Sequence, residues 1–161
     1  MDVILRHYQP TDFKHLKDWI TDPEILFQFA GPDFTFPIDS KQISNYQEIH
    51  KDRQFYIAEF QHEPVAFGEI IPQNHSSVRL GRLLVGKERG KGLGTAFVNA
   101  LLNEVKHSYF VGWVDLFVMK SNLPAIRCYK KAGFILVKGE RIYIQDHRGN
   151  EHPILKMNCE L

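Results

Sequence analysis

Six residues, Arg89-Gly-Lys-Gly-Leu-Gly94, concentrate the chemistry of this chain. Glycine at Gly90, Gly92 and Gly94 lets the backbone approach a ligand closely and turn several N–H groups toward one point. Leu80-Gly-Arg-Leu-Leu-Val85 reads as a strand ahead of the run, and Val98, Leu101, Leu102 and Val105 recur at helical spacing behind it. A helix starting near Leu93 adds unpaired amides and a partial positive charge of roughly half an electron. Arg89 and Lys91 add full charges, so a phosphate or pyrophosphate is the natural guest.

Two common phosphate loops do not fit. A P-loop needs a glycine where Val85 stands and Ser or Thr where Gly92 stands. A dinucleotide fingerprint counted from Gly90 finds Gly92 but meets Thr95 where a third Gly or Ala is required.

Asn122 and Tyr129 lie two helical turns apart, so both can face one ligand from one side. Each also has an ordinary reading, Asn122 as a helix N-cap and Tyr129 as core. Cys128 and Cys159 lack the spacing of a disulfide framework or a metal site, and the eight histidines show no zinc pattern, so no metal is expected. A reducing, cytoplasmic setting follows from that cysteine usage.

The elements that must position these residues fit one domain spanning 1–161. Twenty basic against nineteen acidic residues argue against affinity drawn mainly from nucleic-acid phosphates. No apolar run reaches membrane-spanning length, and the N-terminus reads as a first strand rather than a signal peptide.

Val3 to Tyr8 forms that strand, with Thr11 or Asp12 placed to cap a helix carrying Phe13, Leu16, Trp19 and Ile20. Asp22-Pro23 breaks it, Glu24 to Phe29 forms a short second helix, and Ser40 caps another with Ile43 and Tyr46. Between them lies a loop, Ala30 to Ser40, with Phe34 and Phe36. Phe55–Phe60, Pro64–Ile71 and Ser77–Val85 form an antiparallel meander. Trp113–Val118 is a strand, Asn122–Ala132 a helix ended by Gly133, and Phe134–Asp146 with His152–Asn158 a closing hairpin. The order is β-α-α-β-β-β-α-β-α-β-β.

The loop's Arg89, Gly92 and Gly94 resemble the acyl-CoA motif of the GNAT acetyltransferase superfamily, and the element order resembles that fold along nearly the whole chain. Asn122-Leu-Pro-Ala-Ile-Arg-Cys-Tyr-Lys-Lys-Ala-Gly-Phe134 is similar to a second signature of that superfamily. The aromatic N-terminal half loosely resembles the branch with ribosomal-protein and some aminoglycoside acetyltransferases. The resemblance implies an α/β (α+β) domain. Its mixed, mostly antiparallel twisted sheet would have about seven strands with four or five helices, splayed between the fourth and fifth strands.

It also implies acetyl-CoA as co-substrate and transfer of acetyl to a small-molecule or peptide primary amine by direct attack. Leu83 and Val85 would pair with the pantetheine arm, and the N–H of Leu83 or Leu84 would receive the thioester oxygen. Arg89, Gly90, Lys91, Gly92, Leu93, Gly94 and Thr95 would take the pyrophosphate. Asn122 would bond the pantetheine, and Tyr129 would protonate the departing thiolate. Glu69, beside the cofactor strand, is the first candidate for a base, with Asp115 and His75 behind it. The cofactor strand itself offers only Arg79 and Arg82, where relatives often carry a carboxylate. Cys128 is expected to point away from Tyr129, so no acyl-enzyme is implied. Phe27, Phe29, Phe34 and Phe36 are expected to shape the acceptor pocket. The rival reading is a non-catalytic acyl-CoA-binding module; a monomer and a homodimer are both compatible with the sequence.

Overall fold

A computed structural model describes residues 2–87, 89–139 and 141–161. Its strands are β1 (Ile4–His7), β2 (Gln54–Phe60), β3 (Glu63–Pro72), β4 (Ser77–Val85), β5 (Trp113–Met119), β6 (Ile135–Leu136), β7 (Ile142–Gln145) and β8 (Glu151–Glu160). Its helices are α1 (Phe13–Trp19), α2 (Pro23–Ala30), α3 (Ser40–Ile49), α4 (Leu93–Ser108) and α5 (Leu123–Lys131), with short 3₁₀ turns at Pro10–Asp12 and Gly31–Asp33.

All eight strands join one open sheet in the order β1-β2-β3-β4-β5-β8-β6, and β7 also pairs with β8. Every pairing is antiparallel except β4 with β5. The expected single strand from Phe134 to Asp146 is instead β6 and β7, which lie one after the other along β8. The segment between them includes Gly139, a residue type depleted in strands.

Each face of the sheet carries its own core. Phe97, Val98, Leu101, Leu102 and Val105 of α4 pack with Ile126 and Tyr129 of α5 against Val78, Leu80, Val114 and Leu116. On the other face α1, α2 and α3 bring Leu16, Trp19, Leu26, Phe29, Ile43 and Tyr46 onto Phe55, Ile57, Phe67 and Leu84. At roughly 1.5–3 kcal/mol for each large apolar side chain fully buried, the α4 stripe alone outweighs any one cap or ion pair in holding its helix.

Two caps differ from expectation. Asp39, not Ser40, caps α3 by accepting from the Gln42 amide at 2.9 Å. The Asp12 carboxylate turns back to the Gln9 amide at 2.8 Å and to Arg6, so it closes the preceding 3₁₀ turn rather than capping α1. Gly133, at φ 104°, ends α5 as expected, with Phe134 N–H reaching Tyr129 C=O and Gly133 N–H reaching Lys130 C=O.

β4 changes phase in its middle. Phe67 stands opposite Leu84 and Glu69 opposite Gly81, which leaves Arg82 and Leu83 against Gly68 alone. That is a β-bulge. Arg82 supplies the turn with φ 49°, unusual for a residue with a side chain. Before the bulge Val78 and Leu80 face α4; after it Leu84 faces the α1–α3 side and Leu83 lies with the α4 cluster.

Candidate active site

The parallel pairing of β4 with β5 runs from Ser77 opposite Trp113 to Leu80 opposite Leu116 and stops there. Beyond that point Gly81–Val85 and Phe117–Met119 separate, while β5 stays paired with β8 to Met119. A cleft of about 1020 Å³ fills the gap, within the size range of small-molecule sites. Leu83, Leu84, Val85, Arg89, Gly90, Gly92, Gly94, Thr95, Asn122 and Tyr129 all line it.

The register decides which β4 amides face this gap. Gly86 N–H donates to Val65 C=O at 2.7 Å, and alternation two residues back turns Leu84 toward Phe67 on β3. The backbone groups of Leu83 and Val85 therefore point to the side β5 has vacated. Val85 C=O is already taken by Arg89 Nε at 2.7 Å, which ties the glycine loop to the strand end. Of the two amides expected to receive a thioester oxygen, the geometry leaves Leu83 and not Leu84.

Gly90 and Gly92 adopt φ 81° and 82°, and a Cβ at either would meet nothing within 4 Å. Their requirement is conformational, since a side chain is strained there whatever the space. Gly94 differs: a Cβ would lie 3.2 Å from Cys128 Sγ, so glycine lets α4 approach α5. Among the described residues, the amides of Gly92, Leu93, Gly94 and Thr95 donate to no protein acceptor. They form the open N-terminus of the sixteen-residue helix α4. Arg127 and Lys131, one turn apart on α5, also line the cleft and add positive charge that the loop motif did not announce.

Asn122 caps α5, its Oδ1 accepting from Ala125 N–H at 3.4 Å, and it also lines the cleft, so the ordinary and functional readings coincide. Tyr129 is 8% exposed, packs edge-on to Phe134 and lines the same cleft. Burial pushes its phenol well above the usual range, reinforced by the neighbouring Cys128, which keeps the hydroxyl protonated at neutral pH. Cys128 does not point away: it lines the cleft too, with burial raising its thiol and Thr95 Oγ1 3.7 Å from its sulfur. A raised thiol is a poor nucleophile.

The candidate bases fare differently. Glu69 is 0% exposed and absent from the cleft wall; Arg82 Nη1 holds its Oε1 at 2.6 Å. Arg82 also pairs with Asp33 and stacks over the Tyr46 ring at 4.3 Å. Gly81 makes room for this arrangement, since a Cβ there would come within 3.1 Å of Glu69 Oε1. Asp115 receives Gln73 Nε2 at 2.9 Å and Lys156 at 3.8 Å, and it too lies off the cleft wall. His75 sits exposed in the β3–β4 turn. Asp33 is the one carboxylate among the described residues on the wall, and it is paired with Arg82.

Of the four phenylalanines expected at an acceptor pocket, Phe27 and Phe29 line the cleft. Phe34 is buried against Tyr46, and Phe36 is exposed away from the wall. The pocket's other apolar walls, Phe117, Ile142, Ile144 and Ile154, come from strands whose relation to the cleft only the sheet order reveals. No group of three or more His, Cys, Asp or Glu among the described residues could hold a metal ion, and no described helix is long and apolar enough to cross a membrane.

This architecture and cleft correspond to a known class. Residues 13–134 match the model of the Acetyltransferase (GNAT) family, and the chain belongs to that family. A stretch of 58 residues is 45% identical to an N-alpha-acetyltransferase of Sulfurisphaera tokodaii, covering 36% of this chain and 35% of that protein. The matched stretch thus spans about a third of that relative's length. Among solved structures, spermidine N-acetyltransferase from Vibrio cholerae in complex with CoA and spermine superposes with a TM-score of 0.80 at 16% identity, over 98% of this chain and 95% of that one. The aminoglycoside acetyltransferase AAC(6')-Ib in complex with coenzyme A has a TM-score of 0.74 at 25% identity, over 99% and 95% of the two chains.

Proposed function

We propose that this chain transfers the acetyl group of acetyl-CoA to a primary amine by direct attack. The observation that carries the reading is the end of β4–β5 pairing at Leu80 and Leu116, beside an open helix N-terminus. The backbone groups of Leu83 and the N–H of Val85 offer the pantetheine amides the pairing that β5 has withdrawn. The amides from Gly92 to Thr95, with Arg89 and the cleft-lining Arg127 and Lys131, would hold the pyrophosphate.

The amine nitrogen attacks the thioester carbon, and the Leu83 N–H faces the oxygen that gains charge. As the oxyanion collapses the carbon–sulfur bond breaks, and the Tyr129 hydroxyl donates to the departing sulfur. The amine's proton leaves through water. An amine of pKa about 10.4 pays about 4.6 kcal/mol to be neutral at pH 7, an α-amine near 8 about 1.4 kcal/mol. With Glu69 sequestered and Asp33 paired, the site suits amines of the second kind.

That same lack of an unpaired carboxylate favours one other reading, a module that binds acyl-CoA without catalysis. Calorimetric titration with acetyl-CoA, followed by CoA-thiol release over an amine panel, separates the two. Micromolar binding that Gly92→Asp abolishes, with thiol release that Tyr129→Phe slows by roughly 10²–10⁴-fold at unchanged CoA affinity, is the expected result. Binding without thiol release would favour the module. Equal turnover by Tyr129→Phe would remove the acid role.

A further inference from the structure

The acceptor end of the cleft carries a charge that the transfer reading leaves unused. Arg79 lines the cleft from β4, on the strand face shared with Gly81. Among the described residues its side chain makes no hydrogen bond and no ion pair; its one specific contact is the Phe117 ring, 5.5 Å from the guanidinium carbon. Its Nε is buried without a partner. A buried donor left unmade is costly, and such groups in folded proteins are nearly always satisfied by something.

The neighbouring anions have partners other than Arg79, although Glu69 Oε2 is itself buried without a hydrogen-bond partner. Asp115 stands opposite Arg79 across the β4–β5 register, but it is held by Gln73 and Lys156. Glu69 and Asp33 are both engaged by Arg82. Burial, with repulsion from Arg53 and Arg82, lowers the pKa of Arg79 and outweighs the opposing pull of Glu69 and Tyr46. The cleft that it lines also carries the apolar side chains Phe27, Phe117, Ile142, Ile144 and Ile154.

Resting on the acetyl-transfer reading, we propose that the acceptor is an amine bearing a carboxylate, and that Arg79 receives that carboxylate. A guanidinium presents a planar pair of donors matched to a carboxylate, and an apolar surround strengthens the pairing. Arg79 and Leu83 are four positions apart, roughly 13 Å along a strand before the bulge shortens it. The acceptor is therefore extended: its amine meets the thioester near Leu83, its apolar body lies on Phe27 and Phe117, and its carboxylate reaches back to Arg79. A polycation fits this pocket badly, because Arg79 meets it with like charge.

The test uses acceptors matched except at the carboxylate: dipeptides against their C-terminal amides, ω-amino acids against the corresponding alkylamines, with spermidine and kanamycin as polycations. Thiol release from acetyl-CoA gives kcat and KM; calorimetry on the CoA-saturated protein gives acceptor binding without chemistry. The acids should show KM at least about tenfold below that of the amides. Arg79→Gln should erase that preference by raising KM for the acids alone, with Arg79→Lys intermediate, and circular dichroism should show both variants folded. Equal use of acids and amides, preference for the polycations, or an equal effect of Arg79→Gln on both series overturns the proposal. Preferential binding of acids without any turnover would uphold the anion site and overturn acetyl transfer, so the two failures are distinct.

Discussion

Arg82 offers the sharpest test of how the site is held. Its guanidinium is the sole ion-pair partner, among the described residues, of a carboxylate with no exposure: the side chains of Arg82 and Glu69 are 8% and 0% accessible. Arg82→Met keeps most of the volume and removes the charge, leaving Glu69 ionised without compensation or forced to take a proton. Breaking a buried pair in this way costs about 3–5 kcal/mol. For a chain of 161 residues each kcal/mol moves the melting temperature by about 2–4 °C, so a fall of roughly 6–20 °C is expected. Thermal and urea unfolding followed by circular dichroism measure it. Adding Glu69→Gln to Arg82→Met should recover most of the loss, because the charge that needed a partner is gone. A fall of less than about 3 °C for Arg82→Met, or a double variant less stable than the single, would refute the assignment of Arg82 and Glu69 as a buried, mutually dependent pair.

Two further outcomes follow from packing and charge elsewhere. A Cβ at Gly86 would run into the Trp19 ring, so Gly86→Ala should destabilise by about 1–3 kcal/mol in urea unfolding, and Trp19→Leu should relieve part of that loss. Asp12 feels burial, which raises its pKa, but the hydrogen bonds from Arg6 and the Gln9 amide prevail and its pKa falls below the usual carboxylate value. A depressed carboxylate stabilises the fold above the unfolded pKa near 4 and loses that contribution as pH falls through the folded value. Stability of the parent should therefore drop on acidification below about pH 4, and Asp12→Asn, less stable at pH 7, should show a shallower acid limb in the same unfolding assay.

Much of this was legible because local chemistry and global order agree. The glycine run, the helix after it and the β-meander before it are written in residue types whose backbone preferences point one way. The splay between the fourth and fifth strands follows from the family resemblance and not from periodicity, since nothing in Gly81–Val85 states that its neighbour stops at Leu116. The sequence makes Glu69 the first candidate for a base because its strand position is clear, whereas the bulge that brings Arg82 over it is not. A left-handed arginine gives no signal in a pattern of types. Splitting the final stretch into β6 and β7 depends on both lying along a ten-residue β8, a long-range fact. Asp39 displaced Ser40 as a cap because adjacent residues of equal capping strength are separated by one residue of register.

The extra residue at the bulge makes β4 a strand written in two reading frames. Upstream of Arg82 odd-numbered side chains face the α1–α3 side; downstream it is Leu84 that faces that way, while Leu83 keeps its amide toward the gap left by β5. Side chains along this strand can be exchanged one at a time, but their number cannot change. Deleting Leu84 would leave composition almost untouched but bring Leu83 opposite Phe67 and turn its amide toward β3, silencing the site by a shift of frame rather than by the loss of any chemical group.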